Sequence, residues 1–170
     1  MDTIKPHKTA MTRNKPSLPL KLAIQKGFIQ KDTTILDYGS GKGFDVKYLE
    51  SLGIPVASYD KYFQPTLPEG TFHTVFLSYV LNVIVDRQER ETTLCQAFSK
   101  ATDRLIVSVR TYRDLANVKT ATPYLDGYIT SANTFQHFFM DYEIERILFS
   151  LPGTHKRTRL ANGVYAVEKL

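Results

Sequence analysis

The sequence has a single cysteine, Cys95, among its 170 residues. A lone thiol forms no internal disulfide, which excludes a disulfide-built scaffold and fits a reducing cytoplasm. Cys95 falls in an expected helix beside Leu94 and Phe98, where a packed thiol is expected rather than a nucleophile. No run of roughly 18 apolar residues occurs and no export signal pattern is present, so no membrane partner is expected. The four histidines, His7, His73, His137 and His155, stand singly at no metal-ligand spacing, so no metal is expected. Internal repeats and low-complexity tracts are absent too. What is present is 42% hydrophobic residues, enough for one domain with a sizeable core.

The net charge is +5, with a pI near 9.2, a mild hint of a polyanionic partner. Its distribution says more. Lys5, His7, Lys8, Arg13, Lys15, Lys21 and Lys26 precede the first strand, with only Asp2 set against them in that cationic run. Near the other end stand His155, Lys156, Arg157 and Arg159. Two basic segments flanking a core suggest contact with nucleic-acid phosphate. A solvated arm would give the same pattern.

The informative stretch runs from Thr34 to Gly43. Ile35 and Leu36 lead into Asp37, and glycines follow at 39, 41 and 43. An apolar run ending in alternating glycines is how a buried parallel strand turns into a nucleoside-binding loop. Glycine tolerates positive φ and leaves room for a ligand to approach the backbone. A P-loop would need Lys then Ser or Thr after its last glycine, and GSGKGFD lacks that order. A dinucleotide fingerprint would need two residues between the second and third glycines, and only Lys42 stands there. The remaining pattern, D-x-G-x-G-x-G, resembles the first motif of class I S-adenosylmethionine-dependent methyltransferases. Ile54 to Tyr59 is a second apolar run, ending in Asp60 about twenty residues past the glycines. An acid there holds a ribose diol in this type of sheet.

Along the rest of the chain, residues 1–17 read as a basic arm and 18–170 as the α/β domain. A short helix is expected over Leu18 to Ile24, with Leu20, Ala23 and Ile24 inward, ended by Gly27. The helix after the glycine turn runs from Asp45 to Leu52, with Val46, Leu49 and Leu52 on one face. Between Asp60 and Phe72 stands only a short loop with Pro65, Pro68 and Gly70. A crossover needs at least about a dozen residues, so the third strand of such a sheet is missing or vestigial. Phe72 to Ser78 is the next strand, and Asp86 with Glu89 forms a capping box. The helix it starts runs to Ala101, burying Leu94, Ala97, Phe98 and Ala101. Arg104 to Arg110 is a further buried strand. Arg110 to Ile129 lacks periodicity and reads as a substrate lid. A helix over Thr134 to Phe139, capped by Ser131 or Asn133, continues or restarts over Asp141 to Arg146. Strands at Ile147 to Leu151 and Val164 to Glu168, separated by a turn over Gly153 to Arg159, close an antiparallel pair. The expectation is a single α/β, Rossmann-like class I methyltransferase domain. Its sheet is mostly parallel, with a C-terminal antiparallel strand.

HKTAMTR with SLP, then ILDYGSGKGFDVKYL, YDKYFQP, SYVLNVI, RQER and DGYITSANTFQHF, are similar to the methyltransferase-like family associated with DNA phosphorothioation systems. The likeness runs from His7 to about Leu148. Members of that family usually carry a further region after this part, so an activity housed there would be missing here or supplied by another protein. Ser40 and Lys42 stand where relatives favour Cys and Arg, a change that a backbone-lined turn tolerates. The resemblance implies S-adenosyl-L-methionine as cofactor, held by Asp37, Gly39, Ser40, Gly41 and Gly43, with Asp60 on the ribose and Lys61, Leu77 and Ser78 alongside. It further implies that Tyr79 and Asn82 meet the acceptor, and that Asp126 to Gln136 faces the same cleft. His7, Arg13, Arg110 and Tyr112 are candidate acceptor contacts from the arm and the rim.

Methyl transfer from a sulfonium asks mainly for alignment in a dry pocket, so no triad is expected. LSYVLNV has no [DNS]-P-P-[YFW] signature, which disfavours amino-methylation of a base by that route. Three functions stay open: methylation of nucleic acid in a modification or defence setting, methylation of a small molecule or protein, or nucleoside binding without catalysis. Asn82 as a helix-start cap and Tyr79 as a packing aromatic are the bland alternatives.

Overall fold

Short, buried apolar runs build the centre of the molecule. The computed structural model describes residues 4–170, and Met1 to Thr3 of the expected arm, with Asp2, lie outside the described residues. In chain order come helix α1 (Leu18–Gln25), strand β1 (Ile35–Tyr38), α2 (Phe44–Ser51), β2 (Val56–Tyr59), β3 (Phe72–Ser78) and α3 (Arg87–Lys100). Then follow β4 (Ala101–Ser108), β5 (Ala121–Tyr124), β6 (Gly127–Thr130), β7 (Phe135–Gln136), α4 (Asp141–Phe149), β8 (His155–Ala161) and β9 (Val164–Lys169).

The main sheet has the order β2-β1-β3-β4-β9-β8. β1 lies parallel between β2 and β3, with Ile35 opposite Val56 and Thr74. β4 is parallel to β3, and β9 runs antiparallel between β4 and β8. Strand alternation sends side chains to two cores. Leu36, Val75, Leu77, Leu105 and Val107 pack on one face against Leu94 and Phe98 of α3 and Ile144 and Leu148 of α4. Ile35, Phe76 and Ile106 pack on the other against Leu20 and Ala23 of α1 and Leu49 of α2. Nothing flanks β2 on its outer side among the described residues, so the third strand of a full class I sheet is absent. Residues 60–71 make the direct loop to β3 that the short spacing implied.

Several expectations are corrected. Ile24, Leu52 and Cys95 are exposed, because the short helices and α3 each bury a narrow stripe, and Cys95 lies one residue round from Leu94. The expected lid, 110–129, holds a 3-10 turn (Tyr112–Asn117) followed by β5 and β6, which with β7 form a small antiparallel sheet. No helix forms over Thr134 to Phe139. Phe135, Phe138 and Phe139 imitate helical spacing, but Asn133 takes a left-handed φ of 58° and its N–H donates to Thr130 O, which closes a tight β6–β7 turn. Ile147 to Phe149 complete α4, where Ile144, Ile147 and Leu148 make one buried stripe. His155 to Arg159, expected as a turn, lie in edge strand β8, whose exposed Lys156, Arg157 and Arg159 also block edge pairing.

Candidate active site

Parallel strands end together, and their carboxyl ends open a cleft of about 1050 Å³. Its floor is the turn after β1. The N–H groups of Gly39 and Ser40 both donate to Tyr59 O, at 2.6 and 3.0 Å, tying the turn to the end of β2. Gly39 has a φ of 93°, and a Cβ there would overlap Val80 Cγ2, so glycine is required on two counts. Gly43, at φ 76°, caps α2 and donates to Ser40 O. Asp60 faces this turn. Its Oδ2 accepts from Gly41 N at 2.9 Å, and its Oδ1 accepts from Tyr62 N and Phe63 N at 2.9 and 3.1 Å. Oδ2 therefore keeps a free lone pair for a hydroxyl donor.

Asp37 lies behind the turn and is only 6% exposed. Burial, with Asp45 and Asp60 adding to it and Arg13 opposing, pushes its carboxyl up to about 7. Ser40, Lys61, Ser78, Tyr79 and Asn82 also line the cleft. Lys61 pairs loosely with Glu89 at 3.5 Å across an exposed surface, while Asp86 caps α3 by accepting from Glu89 N. Leu77 differs from the expectation: its side chain is sealed in the core and does not line the cleft. Tyr79 adopts a left-handed φ of 59°, a strained state for a bulky residue, and burial pushes its phenol pKa up. Asn82, 1% exposed, sits on a 3-10 turn (Leu81–Val83) and donates from Nδ2 to Gln136 Oε1 at 3.0 Å. Its Oδ1 and the Ser78 hydroxyl have no partner.

The arm lies over the cleft. Lys5 N donates to Asn133 O, and residues 6–9 make a 3-10 turn. Lys42 donates from Nζ to Thr12 Oγ1 at 2.9 Å. Ser17 caps α1 and binds Asp45 through its N–H (2.9 Å) and hydroxyl (2.5 Å). His7 and Arg13 thereby line the cleft, as does Arg110 from beyond β4. Tyr112 does not, because its exposed ring is stacked under the Arg113 guanidinium at 4.4 Å. The C-terminal basic group is partly engaged already, with Arg159 3.4 Å from Asp141 and Arg157 4.7 Å from the centre of the Phe149 ring.

Sequence reasoning missed what holds the opposite wall. Arg90, 2% exposed, grips Asp126 with two bonds of 2.6 and 2.9 Å and also donates to Ile84 O and Val85 O. His137 bridges Asp126 O (2.6 Å) and Glu143 (2.9 Å). Of the Asp126 to Gln136 segment only Gln136 lines the cleft, which corrects the expectation that the whole segment faces it. RQER and the acid of DGY were visible as motifs, but nothing local said that they pair. Among the described residues no cluster of His, Cys, Asp and Glu would hold a metal ion, and no helix is long and apolar enough to cross a membrane.

No protein-family model matches the chain, and no curated protein matches it. Solved structures do match in fold. The 1,6-didemethyltoxoflavin-N1-methyltransferase of Burkholderia thailandensis, with bound 1,6-didemethyltoxoflavin and S-adenosylhomocysteine, superposes with a TM-score of 0.60 at 16% identity, over 98% of this chain and 79% of that one. The magnesium protoporphyrin IX methyltransferase of Synechocystis PCC 6803, with bound S-adenosylmethionine, gives 0.54 at 19% identity over 89% and 74%. An S-adenosylmethionine-dependent methyltransferase from Methanosarcina mazei gives 0.59 at 14% identity over 86% and 97%. The fold is thus that of S-adenosylmethionine-dependent methyltransferases.

Proposed function

We propose that this chain, whose sheet and cleft share the fold of S-adenosylmethionine-dependent methyltransferases, binds S-adenosylmethionine and transfers its methyl group. The observation that carries the reading is Asp60 held against the glycine turn with one acceptor position left open. The residues present fit the cofactor. Asp60 Oδ2 takes a ribose hydroxyl, the turn after β1 lies beside the methionine portion, and the buried Asn82 Oδ1 and Ser78 Oγ await donors. Bound there, the sulfonium supplies an activated methyl whose leaving group departs neutral. The chain's own part is alignment and exclusion of water. Asp37 sets a buried negative charge near a cationic ligand, the arm covers the turn, and Tyr79 and Asn82 border the space for the acceptor. Isothermal titration with S-adenosylmethionine tests this. A folded protein giving no heat at millimolar ligand ends the reading.

The acceptor we propose is nucleic acid, in a modification setting and in the cytoplasm. Support comes from the ordered motifs shared with the phosphorothioation-associated family, from Lys5 and Lys8 exposed on the arm, and from the lone, exposed Cys95. A cleft of this volume would take a single extruded nucleotide. A small-molecule acceptor is the second reading, favoured by one observation: the arm roofs the cleft, with Ala10 against Gly41. Labelled cofactor with host nucleic acid and with a metabolite extract separates the two. Salt-dependent oligonucleotide binding that survives Lys8→Ala with Arg13→Ala removes the arm from the nucleic-acid reading.

A further inference from the structure

Beside the cleft, the arm, the end of the 3-10 turn Tyr112–Asn117 and the small sheet line a second, largely open chamber of about 370 Å³. It opens off the first, because Thr9, Met11, Arg110, Asn117 and Gln136 line both. Lys119 lines the second chamber alone. No Asp or Glu lines it among the described residues.

Its two cations are unspent. Arg90, Arg104, Arg113, Arg146 and Arg159 each reach a carboxylate. Arg110 and Lys119 reach none among the described residues. The hydroxyls differ in the same way. Thr130 and Thr134 are bonded to each other at 2.6 Å, whereas the Thr120 and Ser131 hydroxyls have no partner among the described residues. A concave surface with a guanidinium, an ammonium and free hydroxyls, and with no competing acid, suits a group that has several anionic oxygens in a tetrahedral array. A planar carboxylate would leave part of that donor set unused.

We propose that this chamber binds a phosphate group carried by the methyl acceptor, with Arg110 at the junction of the two spaces and Lys119 within the second. The inference rests on the methyltransferase reading and deepens it. The reacting part of the acceptor lies by Asn82 and Gln136, and the phosphate lies past Arg110. The phosphate either stands on a small phosphorylated molecule or belongs to a nucleic-acid strand, and the chemistry of capture is the same.

The test uses the full chain saturated with S-adenosylhomocysteine and titrated with inorganic phosphate, a mixture of nucleoside 5′-monophosphates, and a single-stranded oligonucleotide. Phosphate is expected to bind, and both Lys119→Ala and Arg110→Gln are expected to weaken it at least fivefold. Lys119→Glu should abolish it. S-adenosylhomocysteine affinity should be unchanged in Lys119→Ala. Mononucleotides binding as tightly as the strand identify a small phosphorylated acceptor. Phosphate bound by the wild type, with the strand much tighter than the mononucleotides and its salt slope reduced by about one in Lys119→Ala, identifies a backbone phosphate. Phosphate binding that is absent, or equal in wild type and Lys119→Glu, overturns the proposal. Failure of the wild type to bind S-adenosylhomocysteine instead overturns the methyltransferase reading, and the two failures are told apart by that first titration. Lys119 is exposed, so its variants report even if Arg110→Gln does not fold.

Discussion

Opposite walls of one cleft are held in two different ways. At the glycine turn every donor is a backbone N–H: Gly39 and Ser40 to Tyr59 O, Gly43 to Ser40 O, and Gly41 to the one side-chain acceptor, the Asp60 carboxylate. Across from it the bonds are made by side-chain pairs: Asn82 to Gln136 and Arg90 to Asp126, far apart in the chain, and His137 to Glu143, six residues on. A wall of backbone bonds tolerates exchange of most side chains and fails when a Cβ is added. A wall of side-chain pairs fails when one partner is removed.

The largest effect that sharpens this contrast is expected at Gly39. Alanine there meets both a left-handed backbone and Val80, so strain of about 1–2 kcal/mol adds to overpacking of about 1–3 kcal/mol. Urea unfolding should show the loss, and cofactor binding should vanish with it. Gly43→Ala has open space around the new Cβ and should lose only the backbone share, about 1–2 kcal/mol. Equal losses at the two positions would break the account of the turn. Next in size is Arg90→Ala. It removes charge-assisted bonds worth about 1.5–3 kcal/mol and leaves Ile84 O and Val85 O without that donor. Faster proteolysis within residues 121–136 is the specific sign. Arg90→Lys should recover only part, since an ammonium does not reproduce the bidentate fork.

The same contrast explains what could be read from the chain alone. The glycines, Asp60 and the short loop from β2 to β3 are local patterns, and each came out where the spacing put it. So did the buried strands, because Val75 to Leu77 and Leu105 to Val107 have no polar face to mislead. The small sheet was not legible. Phe135, Phe138 and Phe139 have helical spacing, and only the turn at Asn133, the distant anchor Arg90 and the His137–Glu143 bond decide otherwise. β8 was hidden because its outward residues are charged, as suits an edge. Leu77 was misplaced in the site because the strand ending at Ser78 alternates, and Leu77 points into the core.

A smaller effect, confined to the backbone-built wall, is expected at Asp60. On the proposed reading, Asp60→Ala removes one charge-assisted bond to the ribose, about 1.5–3 kcal/mol, and so costs roughly ten- to a hundredfold in cofactor affinity. Because Oδ2 also anchors Gly41, Asp60→Asn is the control, keeping a carbonyl acceptor for the amide. Unchanged affinity in both variants would place the sugar elsewhere.

The smallest effect comes from Asp37, the buried acid behind that wall. In the unfolded chain its pKa is near 3.8, and in the fold burial first, then Asp45 and Asp60, carry it to about 7 despite Arg13. Between those values the folded chain keeps a proton that the unfolded chain has released. This group's contribution to stability is therefore greatest below about 3.8, declines as pH rises towards 7, and is level above. Ligand affinity runs the other way. S-adenosylmethionine brings a sulfonium and an ammonium, which favour the ionised carboxylate, so its affinity should rise by up to about tenfold per pH unit below 7 and level off above. Titrations at pH 6, 7 and 8 in buffers of different ionisation heat should register a proton released on binding at pH 6 and almost none at pH 8. Asp37→Asn should remove both the release and the slope while leaving the turn's backbone bonds intact. A slope that persists in that variant would assign the proton to another group and leave the turn's geometry, rather than its buried charge, as what selects the ligand.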